Sequence, residues 1–274
     1  MSYLPTYSDD FPTGQAGRRQ RSNGNDNAQQ LEYSQQSVPM VIKRLFKTPK
    51  NLDLETASWE MFHLILHPRK AYRSIYYQRQ TKNQWARDDP SFFIFQIVLI
   101  SISSVTWSIY NSGFNNENGN MGVLGIIGHF FKSLIMMVFL DFFIFGFVMA
   151  TIFYFLLNRS YFKFKSSQNT VVEWAYCFDV HCNSFLIILL CLYFIQFLLL
   201  PIINLQNWIS LLIGNSLYCF AIGHYFILTF YGYNQLPFLK NLNFILLPTL
   251  GLSIIYLISL FGIDLSKRLS FYNY

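Results

Sequence analysis

The sequence predicts an all-α, polytopic membrane protein: a bundle of five transmembrane helices preceded by cytosolic amphipathic helices. Three observations predict it. Of the 274 residues, 53% are apolar and 19% aromatic, while 12% are charged, about half the share expected of a soluble domain. Of the 20 basic and 14 acidic residues, 22 lie in residues 1–91. The remainder contains charge-free runs near the roughly 20 helical residues that cross a bilayer core about 30 Å thick. An ordinary water-facing globule and a disordered chain are excluded. A pI of 9.1 with no recognisable nucleic-acid module gives no reason to expect a nucleic-acid partner. Cys177, Cys182, Cys191 and Cys219 all fall in the apolar part and read as small buried hydrophobes without metal-finger spacing.

The organisation is read as four regions. Residues 1–40 form a polar cytosolic tail in which 17 positions are Gln, Asn, Ser or Gly, with no apolar core for a signal peptide. Residues 41–91 form a cytosolic helical region. Leu54, Ala57, Met61, Leu64 and Ile65 recur at helical spacing, and Trp59, Phe62 and Leu66 widen that face. Pro68 ends this helix and begins a second. There Ala71, Tyr72, Ile75 and Tyr76 form one face, and Arg69, Lys70, Arg73 and Arg79 crowd the others. Basic, aromatic helices of this kind tend to lie at the headgroup level; the expectation is a helical pair packed on the cytosolic ends of the spans, with a lipid sensor or a docking surface for a cytosolic protein as the alternatives. Residues 92–263 hold the spans, and 264–274 form a short lumenal tail.

The spans are expected at Phe92–Tyr110, Ser133–Leu157, Asn183–Leu200 with its helix starting earlier near Glu173, Trp208–Tyr231 and Phe244–Ile263. The apolar run from Val123 to Leu157 would make a helix about 50 Å long, too long for one upright span. Its glycine-rich start, with Gly125 and Gly128 after Gly119 and Gly122, is expected to be a turn or an interfacial segment. Splitting the run in two would give a sixth span. Five spans with a cytosolic N-terminus put 17 of the 20 Lys and Arg on the cytosolic side, as the positive-inside rule asks; six spans break that alternation. Asn158-Arg159-Ser160, the one glycosylation sequon, would then face the cytosol and stay bare.

Two constellations of polar residues stand out. The first is the run before the first span. Asp89 can cap that helix with Pro90 in its first turn, Asp88 favours the positive helix end, and Trp85 suits the interface. Arg87 beside two acids calls for an ion-pair partner elsewhere in the chain. Trp85, Arg87, Asp88, Asp89 and Pro90 are therefore candidates for building a docking surface. The second comprises Asp141, Glu173, Trp174, Asp179, His181, Asn183 and His224, in or near the spans. Intramembrane ionisable groups are costly, and here a polar network linking the second, third and fourth spans is the expectation. No nucleotide loop, nucleophile elbow or zinc-protease motif is present in the sequence. No catalytic residue, cofactor or metal is assigned.

Three passages carry a resemblance: Thr81-Lys82-Asn83-Gln84-Trp85-Ala86-Arg87-Asp88-Asp89-Pro90, then Glu173-Trp174 with Phe178-Asp179-Val180-His181 and Asn183, and Leu236-Pro237-Phe238-Leu239-Lys240-Asn241. Together they resemble the Unc-fifty (uncoordinated-fifty) family of multi-pass Golgi membrane proteins from about Phe46 onward, and most of all its fungal branch. The resemblance implies a non-enzymatic protein of the secretory pathway. Its location would be the Golgi, with the endoplasmic reticulum as a second compartment. It would bind Arf guanine-nucleotide exchange factors, and animal relatives imply a part in delivering membrane-protein cargo. The alternative class is an ion- or lipid-handling transporter using the intramembrane Asp and His groups.

Overall fold

In a computed structural model, residues 53–80, 85–87, 89–114, 123–205 and 207–268 are described. The tail 1–40, the start of the helical region and Asp88 lie outside them. Among the described residues the protein is helical without a β-sheet, and five helices are long and apolar enough to cross a membrane. The run that could have been two spans is one continuous helix.

Two amphipathic helices come first, α1 (Leu54–Leu66) and α2 (Pro68–Gln80). Asp53 caps α1: its carboxylate accepts from the Thr56 N–H at 3.0 Å and from the Thr56 hydroxyl at 2.7 Å. These bonds favour the charged form and hold the Asp53 carboxyl below the ordinary aspartate value. Ala57, Glu60, Met61 and Leu64 form the buried stripe of α1. The apolar face is narrower than expected, because Trp59, Phe62 and Leu66 are exposed. In α2, Ala71, Tyr72 and Ile75 are buried as the spacing predicts.

The first span is α3 (Ser91–Phe114). The second combines α4 (Val123–Ile135), a nine-residue π-helical segment, Met136–Ile144, and α5 (Phe145–Leu157). Of the two expectations for the segment before Ser133, the turn gives way to helix, and the apolar stretch long enough to cross a membrane begins at Ile127. This segment packs along the first span, and two isolated glycines do not break a helix held by such a neighbour. The third span joins α6 (Trp174–Ile188), a second π-helical segment, Leu189–Ile195, and α7 (Gln196–Ile203). It runs past Pro201, which sits inside the last turn. The fourth is α8 (Trp208–Tyr233), and the fifth is a 3₁₀ turn, Leu242–Leu246, leading into α9 (Leu247–Ser259). A last turn, α10 (Leu265–Arg268), folds back on the fourth span, where the Leu265 N–H donates to Asn215 Oδ1 at 2.8 Å.

The third span is the centre of the bundle. Gln96 of the first span donates to the Cys182 carbonyl at 3.0 Å, and Trp107 Nε1–H donates to the Tyr193 carbonyl at 3.1 Å. The Tyr176 hydroxyl donates to the Gly232 carbonyl of the fourth span at 2.6 Å. Such bonds fix helix rotation where lipid-like packing alone does not.

Candidate functional site

Three segments distant in sequence meet at one end of the bundle. α1 packs on the first and third spans, and α2 on the fourth. The loop 158–173 pairs with the loop 232–243: the Phe164 N–H donates to the Phe238 carbonyl at 3.2 Å, and the Lys240 N–H to the Phe162 carbonyl at 2.8 Å. Asn241 ends that pairing in the left-handed conformation, φ 56°, which asparagine tolerates better than most residues. Lys163 is buried in the pairing, and the loss of water around it lowers its pKa below the ordinary lysine value. Asn158 staples its loop shut, giving its amide protons to the Tyr154 and Val172 carbonyls and accepting from the Val172 N–H. The sequon asparagine is thus fully engaged.

The run before the first span locks these parts together. Trp85 is half-buried among Tyr76 of α2, Tyr176 of the third span and Phe238, with ring centroids 5.8, 6.4 and 6.2 Å away. The Arg87 N–H donates to Asp179 Oδ2 at 2.6 Å, and its guanidinium pairs with Glu60 Oε2 at 2.7 Å over the ring of Phe92. The missing ion-pair partner is therefore Glu60, which the sequence reading did not pick out. Its signal was present, since Glu60 shares the helical stripe of Ala57, Met61 and Leu64. Asp89 caps the first span through Ser91, accepting from its N–H at 3.0 Å and its hydroxyl at 2.7 Å, and Pro90 precedes the first turn. A cleft of about 40 Å³, near the size of one water, lies between Arg87, Asp89 and Asp179. Arg87 holds the face together from beneath.

The second constellation separates into distinct contacts. Asp179 belongs to the Arg87 junction. Asn183, one turn further, is buried beneath α2 and shares a small void with Tyr72, Asp179 and Gln235. Glu173 is the N-cap residue of α6. Trp174 donates to the Thr151 hydroxyl at 3.2 Å and stacks on Phe178. His181 meets the Tyr225 hydroxyl at 2.9 Å inside a cage of Phe142, Phe145, Phe178 and Phe185. Asp141 accepts from the Tyr193 hydroxyl at 3.0 Å. That pair joins the two π-helical segments, which the sequence pattern did not reveal. His224 lies half-buried beside Phe220 on its own helix. Among the described residues, no three His, Cys, Asp or Glu side chains converge as metal ligands would.

The fold and this face define a multi-pass helical membrane protein with a structured extramembrane surface. The chain belongs to the UNC-50 family, whose pattern matches residues 41–274. It is 88% identical to Protein GMH1 of Saccharomyces cerevisiae over all 274 residues, covering the whole of both chains. It is 39% identical over 229 residues to the Protein GMH1 homolog of Schizosaccharomyces pombe, covering 82% of this chain and 92% of the relative. It is 36% identical over 236 residues to the human Protein unc-50 homolog, covering 85% and 86%. No solved structure matches the chain.

Proposed function

We propose that the protein is a non-enzymatic Golgi membrane protein of vesicular transport that recruits an Arf guanine-nucleotide exchange factor to the bilayer. The N-terminal region through residue 91 and the loops 158–173 and 232–243 face the cytosol; residues 264–274 face the lumen. Membership of the family supports this reading. The observation that carries it is the assembled face, whose parts are tied through Trp85 and Arg87 and which leaves Trp59, Phe62, Leu66, Tyr161 and Phe164 exposed. Exposed aromatic groups in a charged setting are typical anchors for a protein partner. Holding the partner at a surface raises its effective concentration near membrane-bound Arf without new chemistry.

The test separates docking from folding. W59A/F62A alters exposed side chains and leaves the Arg87 junction intact. The variant is expected to reach the Golgi at normal abundance yet retain little exchange factor on membranes or in co-isolation. Normal recruitment by this variant sinks the docking assignment. Unchanged exchange-factor levels on membranes lacking the protein altogether sink the recruitment reading.

A further inference from the structure

A second feature of the same end is a basic pocket between the start of α2 and the last turn of the fourth span. It holds about 440 Å³, open on one side, and is lined by His67, Pro68, Arg69, Lys70, Arg73 and Tyr231. That is within the size range of small-ligand sites. The lining brings together three permanent cations and a histidine with no acid. Among the described residues, the ion pair of this region is Arg87 with Glu60, so the bases of the pocket have no carboxylate partner there. Arg69 is held in position: its Nε–H donates to the Tyr231 hydroxyl at 2.9 Å, and its guanidinium lies over the Tyr231 ring, 5.2 Å from the centroid. Its terminal Nη groups remain as a fork suited to phosphate oxygens. Tyr231 lies in the last turn of a span, the level at which tyrosines meet headgroups.

We propose that this pocket binds a phosphate monoester, presented by the headgroup of a membrane lipid. A monoester near neutral pH carries close to two negative charges, which three adjacent cations match better than they match the single charge of a diester. The wall of the pocket is a transmembrane helix end, so a lipid phosphate enters without leaving its leaflet. The inference shares with the proposed function only the placement of this face at a bilayer surface. Its test needs no exchange factor, so the two can fail separately.

The experiment uses the full chain in detergent micelles, with short-chain phosphatidylinositol monophosphate, unphosphorylated phosphatidylinositol and inorganic phosphate as probes. The monophosphate lipid is expected to bind at least about tenfold more tightly than the unphosphorylated lipid. With each surface base worth about fivefold toward an anionic lipid, R69Q/R73Q should weaken that binding by about 25-fold, with the thermal unfolding midpoint unchanged. Y231F, which keeps the ring and releases Arg69, should cause a smaller loss. Equal affinity for the two lipids overturns the proposal, as does wild-type affinity in R69Q/R73Q. Inorganic phosphate binding as tightly as the lipid, with the same loss in the variant, overturns the lipid source. If R69Q/R73Q unfolds, R69K decides instead: it keeps the charge but loses the fork, and wild-type selectivity in it overturns the assigned geometry.

Discussion

The third and fifth spans are both apolar helices long enough to cross a membrane, but they hold opposite positions in the bundle. In the third, 56% of the apolar window is buried inside the protein; in the fifth, 17% is. Hydropathy does not signal the difference in the expected direction, because the more hydropathic of the two, the third at 2.8 against 1.9, is the one shielded from lipid. Lipid chains are as apolar as leucine, so an apolar side chain has little preference between bundle and bilayer. Polar and small residues set the difference. The third span is hydrogen-bonded to Gln96, Trp107, Arg87, Asp141 and Tyr225. The fifth is tied to the fourth through Ser216 with Tyr256 and Asn215 with Ser259, and it turns Leu250, Ile254 and Leu257 outward.

The largest expected effect comes from cutting the side-chain tie between α1 and the junction that rests on the third span. Arg87→Ala leaves Glu60 buried without its partner, while both side chains were only 12% and 10% exposed. The expected loss is about 3 kcal/mol, the lower end for breaking a buried pair. Glu60→Gln in the same chain should restore part of it, because the stranded charge is then gone. Thermal unfolding of the four proteins of this double-mutant cycle checks the coupling. Strictly additive losses would mean that the pair is not what joins α1 to the junction.

Next is the packing of neighbours against the third span. A Cβ at Gly146 would lie 2.5 Å from His181 Cδ2 and 2.6 Å from Nε2. His181 cannot swing away, since aromatic rings surround it and Tyr225 holds its Nδ1. Gly146→Ala should therefore destabilise by about 1–3 kcal/mol, the usual range for overpacking. Gly232→Ala meets Val180 methyls at 2.9 and 3.0 Å and should follow with a smaller loss. Unfolding midpoints in detergent measure both. A neutral Gly146→Ala would show that the histidine cage is looser than its geometry.

These same contacts mark where sequence reading stops. The five spans were legible because a missing charge is a local property, and Pro68 and Asp89 act within one turn. The join at Arg87 was half legible: the arginine announced the need for a partner, but Glu60 lies 27 residues away and Asp179 lies 92 away. The intramembrane set was legible as residues but not as contacts, since spacing along one helix does not say which neighbour each side chain meets. Asp179 turned to the junction, His181 to the fourth span, and Asp141 to Tyr193. The π-helical segments carry no turn or breaker signal, and the second span's start was misread because its glycines were weighed without the neighbours that support a helix. Trp59 and Phe62 were counted in the apolar face of α1 for a related reason, as periodicity identifies an apolar stripe but not how much of it is buried.

The smallest effect is the control for the whole comparison. Gly251 lies in α9 of the fifth span, and a Cβ there would meet nothing within 4 Å. Its backbone is ordinary helix, so alanine adds no strain and removes the freedom that glycine loses on ordering. Gly251→Ala should raise stability slightly, by under about 1 kcal/mol. The same substitution thus changes sign between a glycine facing the third span and one on the fifth, although both sit in apolar transmembrane helices. Chemical composition is held constant by this pair, leaving only the neighbour to account for the difference. If Gly251→Ala instead destabilises as much as Gly146→Ala, the outward face of the fifth span is covered in the assembled protein, and crosslinks from a cysteine placed at Leu250 would identify the chain that covers it.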